Sequence, residues 1–321
     1  MSRLLVTGGA GFIGSNFIQY CLKKYPKDAI VTLDKLTYAG HLENLREIKD
    51  DPRYTFIKGD ITNKSDVEKA IKNADIVVHF AAESHVDRSI EDPMIFAKTN
   101  VLGTCVLLDA CLRYSRKRFH HVSTDEVYGE LGVADPPFNE TTPFDPKSPY
   151  AASKAGSDLM VKSYYTAYGL PITITNCGNN FGPYQDPEKL IPRFTTKLLT
   201  GQKVPLMERG ENIRSWLSVE DHCQAIDIVI KKGDIGESYC VGGEEKTNLE
   251  VTQRILKTLD KDESLIDFVG NRAVNDFRYA IDDKKIRKLG WKPEYNFAHW
   301  LEETVKWYKE NEWWWKLLLT K

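Results

Sequence analysis

Five side chains in this 321-residue sequence have the types and spacing to move protons. Asp125 and Glu126 are adjacent acids directly after Thr124, at the end of an apolar stretch. Tyr150 and Lys154 stand at i and i+4, so on a helix the phenol and the ammonium share one face. Spacing alone says little, since Tyr20/Lys24 and Tyr54/Lys58 fit the same template. What sets Tyr150 apart is the upstream segment 123–129, Ser-Thr-Asp-Glu-Val-Tyr-Gly, which places polar groups just past the carboxyl end of a strand. Open α/β sheets bind ligands at that edge.

A second constellation is the turn Thr7-Gly8-Gly9-Ala10-Gly11-Phe12-Ile13-Gly14, which follows an apolar strand and opens a helix. Glycines there let the backbone approach a pyrophosphate, and a helix N-terminus offers unpaired N–H groups and partial positive charge. Asp34 ends the next strand, 20 residues after Gly14, where a carboxylate accepts hydrogen bonds from ribose hydroxyls. That charge repels a 2′-phosphate, so NAD is expected over NADP, with Lys35 next to it as an opposing cation. A cationic nicotinamide bears on Tyr150: a free tyrosine has a pKa of about 10, and acting as a base near neutrality needs a fall of roughly three units, or about 4 kcal/mol. Lys154 and the nicotinamide ring would supply it.

The elements that must position these groups alternate through the first half. Strands are expected at 4–7, 30–34, 54–58, 76–80, 119–123 and 172–176, with helices at 12–24, 65–73, 93–113 and 149–168. Ser148 can cap the last of these and Pro149 suits its first position. This predicts an α/β, doubly wound parallel sheet of Rossmann type with a smaller, interleaved α/β lobe for substrate. The expected division is 1–178 for the NAD-binding domain, with 217–246 returning to it, and 179–216 plus 247–321 for the lobe. Strand 217–219, helix 221–232 and strand 238–241 are the returning pieces; 250–259 and 282–289 are expected to build the lobe. A last helix near 298–319 carries Trp300, Trp313, Trp314 and Trp315 at spacings that suit packing. His79 lies in an apolar strand and reads as a core group, and neither His79 nor His85 is assigned to the chemistry.

Composition closes off other classes. Forty-four Lys+Arg against 46 Asp+Glu leave a net charge of −2, so no global field draws the chain to nucleic acid or to an acidic membrane. Six cysteines form no CxxC pair, which fits reduced thiols in the cytoplasm. The seven histidines show no HxxH or HxxxH spacing, so no metal site is expected. Glycines from Gly8 onward leave no room for a signal sequence, and no apolar run approaches a membrane span.

Taken together, the glycine turn, Thr124 and the Tyr150-Ala-Ala-Ser-Lys154 pair resemble the extended short-chain dehydrogenase/reductases over essentially the whole chain. Within them, the strings 81–89 (Ala-Ala-Glu-Ser-His-Val-Asp-Arg-Ser), 123–129 and 183–192 are similar to the nucleotide-sugar 4,6-dehydratases. A 4-epimerase of that superfamily has no use for two acids at the strand end; a dehydratase must remove the carbon-5 proton and protonate the departing 6-hydroxyl. The resemblance implies that Tyr150, with Lys154 and Thr124, deprotonates the 4-hydroxyl as hydride leaves. Glu126 then takes the carbon-5 proton while neutral Asp125 donates to the 6-oxygen, and hydride returns to carbon 6 as Tyr150 or Glu126 protonates carbon 5. A 4-epimerase and a non-enzymatic NAD-sensing module stay open as alternatives.

The same resemblance gives the contacts. For NAD they are Gly8, Gly11, Phe12, Ile13, Gly14, Asp34, Lys35, Asp60, Ile61, Ala81, Ala82, Tyr150 and Lys154. For the nucleotide sugar they are Ser84, Asn179, Lys189, Leu190, Pro205, Met207, Arg214, Asn248, Arg272 and Asn275, with Arg214 as the expected bidentate phosphate partner. Met207 and Asn275 depart from the bacterial dTDP-glucose pattern, and Arg-x-x-Asn-Asp-x-Arg-Tyr at 272–279 looks like the eukaryotic rhamnose-forming enzymes. UDP-glucose is therefore expected ahead of dTDP-glucose. Relatives pair through two helices into a four-helix interface, which implies a homodimer through 93–113 and 149–168.

Overall fold

The structure is a computed structural model that describes residues 2–114, 117–270 and 275–319. The chain runs β1 (Arg3–Thr7), α1 (Phe12–Lys24), β2 (Ala29–Asp34), β3 (Tyr54–Lys58), α2 (Lys64–Ile71) and β4 (Ile76–His79). It continues with α3 (Val86–Glu91), α4 (Pro93–Phe96), α5 (Thr104–Arg113), β5 (Arg118–Thr124), α6 (Pro149–Tyr168), β6 (Ile172–Cys177), β7 (Asn179–Phe181) and α7 (Leu190–Leu199). Then come β8 (Val204–Met207), β9 (Ile213–Ser218), α8 (Val219–Lys232), β10 (Ser238–Val241), β11 (Glu244–Thr247) and α9 (Asn248–Thr258). The last elements are β12 (Ile266–Val269), α10 (Lys284–Arg287), α11 (Phe297–Glu310) and α12 (Glu312–Leu319).

Seven strands form one parallel sheet in the order β10-β6-β5-β4-β1-β2-β3. Strand alternation sends Leu5, Val77 and Phe119 into one apolar layer with α2, α5 and α6. Leu4, Val6 and Val78 enter the other layer with α1 and α8. The order reverses between β1 and β4, and a crevice opens there at the carboxyl ends of the strands. The expected doubly wound sheet is thus present, closed at one edge by β10.

Three expectations about elements are corrected. Residues 217–219 do not form a strand of the main sheet: 217 and 218 end β9, which pairs with β7 and β11 in a separate three-stranded sheet, and Val219 opens α8. Residues 282–289 hold α10 against β10, with Lys285 Nζ donating to the Ser238 carbonyl at 2.8 Å, so they pack on the main sheet's edge instead of in the lobe. The helix at 93–113 is not uniform, because 97–103 is wound as a π-helix between α4 and α5. That helical stretch, Pro93–Arg113, is long and apolar enough to cross a membrane by length and composition, but half of it is buried inside the molecule. It carries Lys98, Asn100 and Asp109 and packs on α2 and α6 as core.

α6 has the start the sequence implies: Ser148 accepts from Ala151 N–H, Pro149 sits in the first turn, and Gly169 ends it at φ 65°. The C-terminal aromatics pack: Trp314 and Trp315 are buried with Tyr184 and Tyr308, and the helix breaks at Asn311 between α11 and α12. His79 is a satisfied core group, its ring nitrogens 2.7 Å from Thr7 Oγ1 and 3.0 Å from Thr104 Oγ1.

Candidate active site

The glycine turn separates two jobs. Gly8 has φ +71°, and a Cβ there would lie 2.5 Å from the Ala81 nitrogen; one on Gly14 would lie 2.3 Å from the Gly8 carbonyl. Gly8 lets β1's turn press against the segment that follows β4, and Gly14 lets the first turn of α1 press against the glycine turn itself. At Gly11 a Cβ would meet only the Gly8 and Ala39 carbonyl oxygens, at 3.3 and 3.9 Å, so its free side faces the crevice. Gly11 also caps α1 without a side-chain bond, and no acid occupies the first turn. The first N–H groups of α1 are therefore left for an anionic ligand.

Asp34 is buried, its Oδ2 accepting from Ala10 N–H at 2.9 Å and its Oδ1 from Leu36 N–H at 2.8 Å. Burial pushes its carboxyl up, and the two N–H bonds only partly oppose this. Lys35 is turned to Asp60, 2.8 Å away. Burial alone would raise Asp60, but Lys35 and the Thr62 N–H and hydroxyl outweigh it and hold that carboxyl low. Gly8, Gly11, Phe12, Ile13, Gly14, Asp34, Lys35, Asp60, Ile61, Ala81 and Ala82 all line one cleft, and Thr124, Asp125, Glu126, Tyr150 and Lys154 form its far end.

That far end lies past the last residue of β5. Thr124 caps the short 3-10 turn 125–128, its Oγ1 accepting from Glu126 N–H and donating to Asp125 Oδ1, both at 3.3 Å. Asp125 is 2% exposed, and its Oδ2 is buried with no hydrogen-bond partner. Burial first and the neighbouring Glu126 charge second push its carboxyl up to about 8, against the pull of Arg214 and Thr124. Asp125 thereby retains a proton at neutral pH beside the half-buried Glu126.

Tyr150 and Lys154 emerge from α6 onto the same cleft. Burial, with Glu126 and Cys177 behind it, pushes the Tyr150 hydroxyl well above the usual phenol range, against the pull of Thr124. Lys154 donates to the Val122 carbonyl at 2.8 Å. The expected fall in the tyrosine's pKa is thus not built into the protein by itself; a cation must enter the cleft to produce it. The backbone cradle, the Asp34 carboxylate and the unpartnered Asp125 oxygen fit a dinucleotide with a polyhydroxylated substrate at its reactive end.

A larger cavity of about 1260 Å³ adjoins the first, sharing Glu126, Asn179, Ser84 and Lys189 with it. Leu190, Pro205, Met207, Arg214, Asn248 and Asn275 line it as well. Arg272 lies outside the described residues. Arg214 differs from the free fork expected. Nη1 donates to the Ile213 and Phe277 carbonyls at 2.8 and 3.3 Å, and Nη2 donates to the Asp276 carbonyl at 2.7 Å and Asn275 Oδ1 at 3.3 Å. Its guanidinium also stacks 4.5 Å over Tyr279. Sequence reasoning missed Trp216, which lines this cavity with a buried, unpartnered indole N–H. The signal was present, since Trp216 is two residues after Arg214 on one strand and so shares its face.

Comparison with known proteins agrees with this geometry. The family described as GDP-mannose 4,6 dehydratase matches residues 5–304. The chain is 46% identical over 343 residues to the dTDP-glucose 4,6-dehydratase of Neisseria meningitidis serogroup B, covering 99% of this chain and 96% of that one. It is 50% identical over 306 residues to the low-salt glycan biosynthesis protein Agl12 of Haloferax volcanii, covering 95% and 98%. The dTDP-glucose 4,6-dehydratase DesIV of Streptomyces venezuelae, crystallised with NAD bound, superposes with a TM-score of 0.95 at 48% identity, covering 98% of this chain and 99% of that one. The UDP-glucose 4-epimerase of Thermus thermophilus, also with NAD, gives a TM-score of 0.89 at 31% identity, covering 96% and 99%. The chain belongs to the NAD-dependent nucleotide-sugar 4,6-dehydratases of the extended short-chain dehydrogenase/reductase superfamily.

Proposed function

We propose that the enzyme converts dTDP-glucose to dTDP-4-keto-6-deoxyglucose and water. The observation that carries this reading is Asp125: a buried acid held protonated, with one oxygen unpartnered, next to a second acid at the wall shared by both cavities. The expectation of UDP-glucose finds no support, since the named dehydratases at 45–48% identity act on dTDP-glucose. Asn275, one of the departures behind that expectation, is spent on Arg214 and on Asn212 Oδ1.

Bound NAD, held by the glycine turn, Asp34 and Lys154, would supply the redox chemistry by taking a hydride and giving it back. Tyr150 takes the proton of the 4-hydroxyl, with Thr124 and the Lys154 ammonium favouring the phenolate. A ketone at carbon 4 acidifies carbon 5, and Glu126 removes that proton. Asp125 gives its proton to the 6-oxygen so that water departs, and Tyr150 or Glu126 reprotonates carbon 5. Arg214, Lys189 and Asn179 hold the diphosphate and sugar, and the walls at Leu190, Pro205 and Met207 enclose the base, with Ser84 and Asn248 beside them.

We also place a homodimer on the α4–α5 and α6 face, where Met94, Leu102 and Leu159 are 74%, 50% and 57% exposed. The six cysteines are all free, which supports a reducing compartment such as the cytoplasm. The test is turnover of dTDP-glucose and UDP-glucose at equal concentration in deuterated water. A 4-keto-6-deoxy product carrying deuterium at carbon 5, formed faster from dTDP-glucose, is the expected result; a galactose-configured product without exchange would make the enzyme an epimerase.

A further inference from the structure

A chain of hydrogen bonds joins the last helix to the glycine turn. Trp314 of α12 donates its indole N–H to Asn44 Oδ1 at 2.7 Å, and Asn44 Nδ2 donates to the Ala10 carbonyl at 2.9 Å. Trp314 and Asn44 are 270 residues apart, and both are buried. An indole nitrogen can only donate and a carbonyl can only accept, so one orientation of the Asn44 amide satisfies both neighbours. Neither Trp314 nor Asn44 lines the cleft, so each acts on its contents through Ala10.

Ala10 sits in the middle of the turn. Its carbonyl also accepts from His41 N–H at 2.9 Å, and its own N–H goes to Asp34 Oδ2 at 2.9 Å. A peptide unit is planar, so holding the Ala10 carbonyl also sets the direction of the Gly11 N–H in the same plane. Gly11 is the residue from which α1 starts, and its free side faces the cleft. The backbone that meets a pyrophosphate is therefore oriented from behind, by Asn44 on one side of Ala10 and Asp34 on the other.

The same aromatic block braces a second piece of the cleft wall. Tyr184 has φ 67°, a left-handed conformation that a residue with a Cβ holds only where its surroundings impose it. Its ring packs edge-on against Trp307 and Trp314, with centroids 4.8 and 5.8 Å away. Gln185 and Asp186 come next and line the cleft, and the Tyr308 hydroxyl donates to the Gln185 carbonyl at 2.7 Å.

We propose that Trp314 is a positioning residue for NAD: acting through Asn44, it holds the Ala10 peptide in the orientation that receives the pyrophosphate, so that docking of α12 and retention of NAD are coupled. Linkage makes the coupling reciprocal, and bound NAD holds α12 down to the same degree.

Trp314→Phe keeps the ring packing and removes the N–H, and Asn44→Ala removes the relay. Holoenzyme carrying isotope-labelled NAD is chased with excess unlabelled NAD, and release of the label is followed. Each variant should release NAD about five- to tenfold faster than the wild type, the effect of one lost hydrogen bond. The double variant should release it no faster than the faster single one, because both substitutions break the same chain. In the full-length wild type, adding NAD should slow backbone hydrogen exchange over 312–319 more than over α9, which lies outside the chain of bonds. Release at the wild-type rate from variants that melt as the wild type does overturns the proposal, as do additive effects of the two substitutions. Exchange over 312–319 that does not respond to NAD overturns it even where the variants fail to fold.

Discussion

The wall of the cleft supplied by the parallel sheet and the wall supplied by the smaller lobe hold their polar groups in opposite states. On the sheet wall, Asp125 keeps an oxygen without a partner, Lys154 makes one bond to a backbone carbonyl, and Tyr150 is pushed far from its usual titration range. On the lobe wall, Arg214 is tied by three backbone carbonyls and Asn275, and Lys189 donates to the Ser84 carbonyl. Unbalanced buried groups are what proton transfer needs, because their protonation states can be exchanged at neutral pH. Arg214 is held rigidly through its two terminal nitrogens and still presents its positive charge to the cavity, which suits it to holding an anion in place. The comparison predicts that substitutions on the sheet wall damage turnover, and those on the lobe wall damage affinity.

The sharpest break comes from Tyr150→Phe. It removes the group that takes the first proton, so kcat should fall by up to ~10⁴ with KM little changed. A fall confined to KM would move Tyr150 to the binding wall. Asp125→Asn should cost turnover ~10²–10³, with carbon-5 exchange surviving better than product formation.

It should also alter stability in a defined pH window. With Asp125 near 8 in the folded chain and about 3.9 unfolded, the folded state holds a proton that the unfolded state has released. Its contribution therefore makes stability fall as pH rises from about 4 to 8, by at most about 1.4 kcal/mol per unit. Asp125→Asn removes that slope, so denaturant titrations should show the variant gaining on the wild type through this window and matching its trend below it. Parallel curves would mean that Asp125 is ionised in the fold. The smallest effect is expected from Arg214→Lys, which loses the planar fork while keeping the charge: KM should rise by the equivalent of about 1.5–3 kcal/mol, with kcat nearly unchanged.

The same contrast explains what was legible in the sequence. The sheet wall follows short-range rules: a glycine turn between a strand and a helix, Asp34 at the next strand end, Ser148–Pro149 opening α6, and an i, i+4 pair inside it. Each needs only its neighbours in the chain. The lobe is assembled from distant pieces, and there local pattern was a poor guide. Residues 217–219 read as apolar strand, but whether β9 joins the main sheet or β7 and β11 is settled by pairings 28 to 37 residues apart. Arg214 read correctly as a cation at the cavity, but its saturation by carbonyls from 276–277 depends on a segment about 60 residues away. UDP against dTDP turned on one methyl group, worth only ~0.8 kcal/mol, too little for a residue pattern to declare.

The division of labour between the two neighbouring acids is tested most directly by Glu126→Gln. In a single turnover of dTDP-glucose in deuterated water, the variant should still oxidise carbon 4, seen as a rise in near-ultraviolet absorbance, while deuterium entry at carbon 5 is lost. Wild-type exchange at carbon 5 in Glu126→Gln would contradict the assignment.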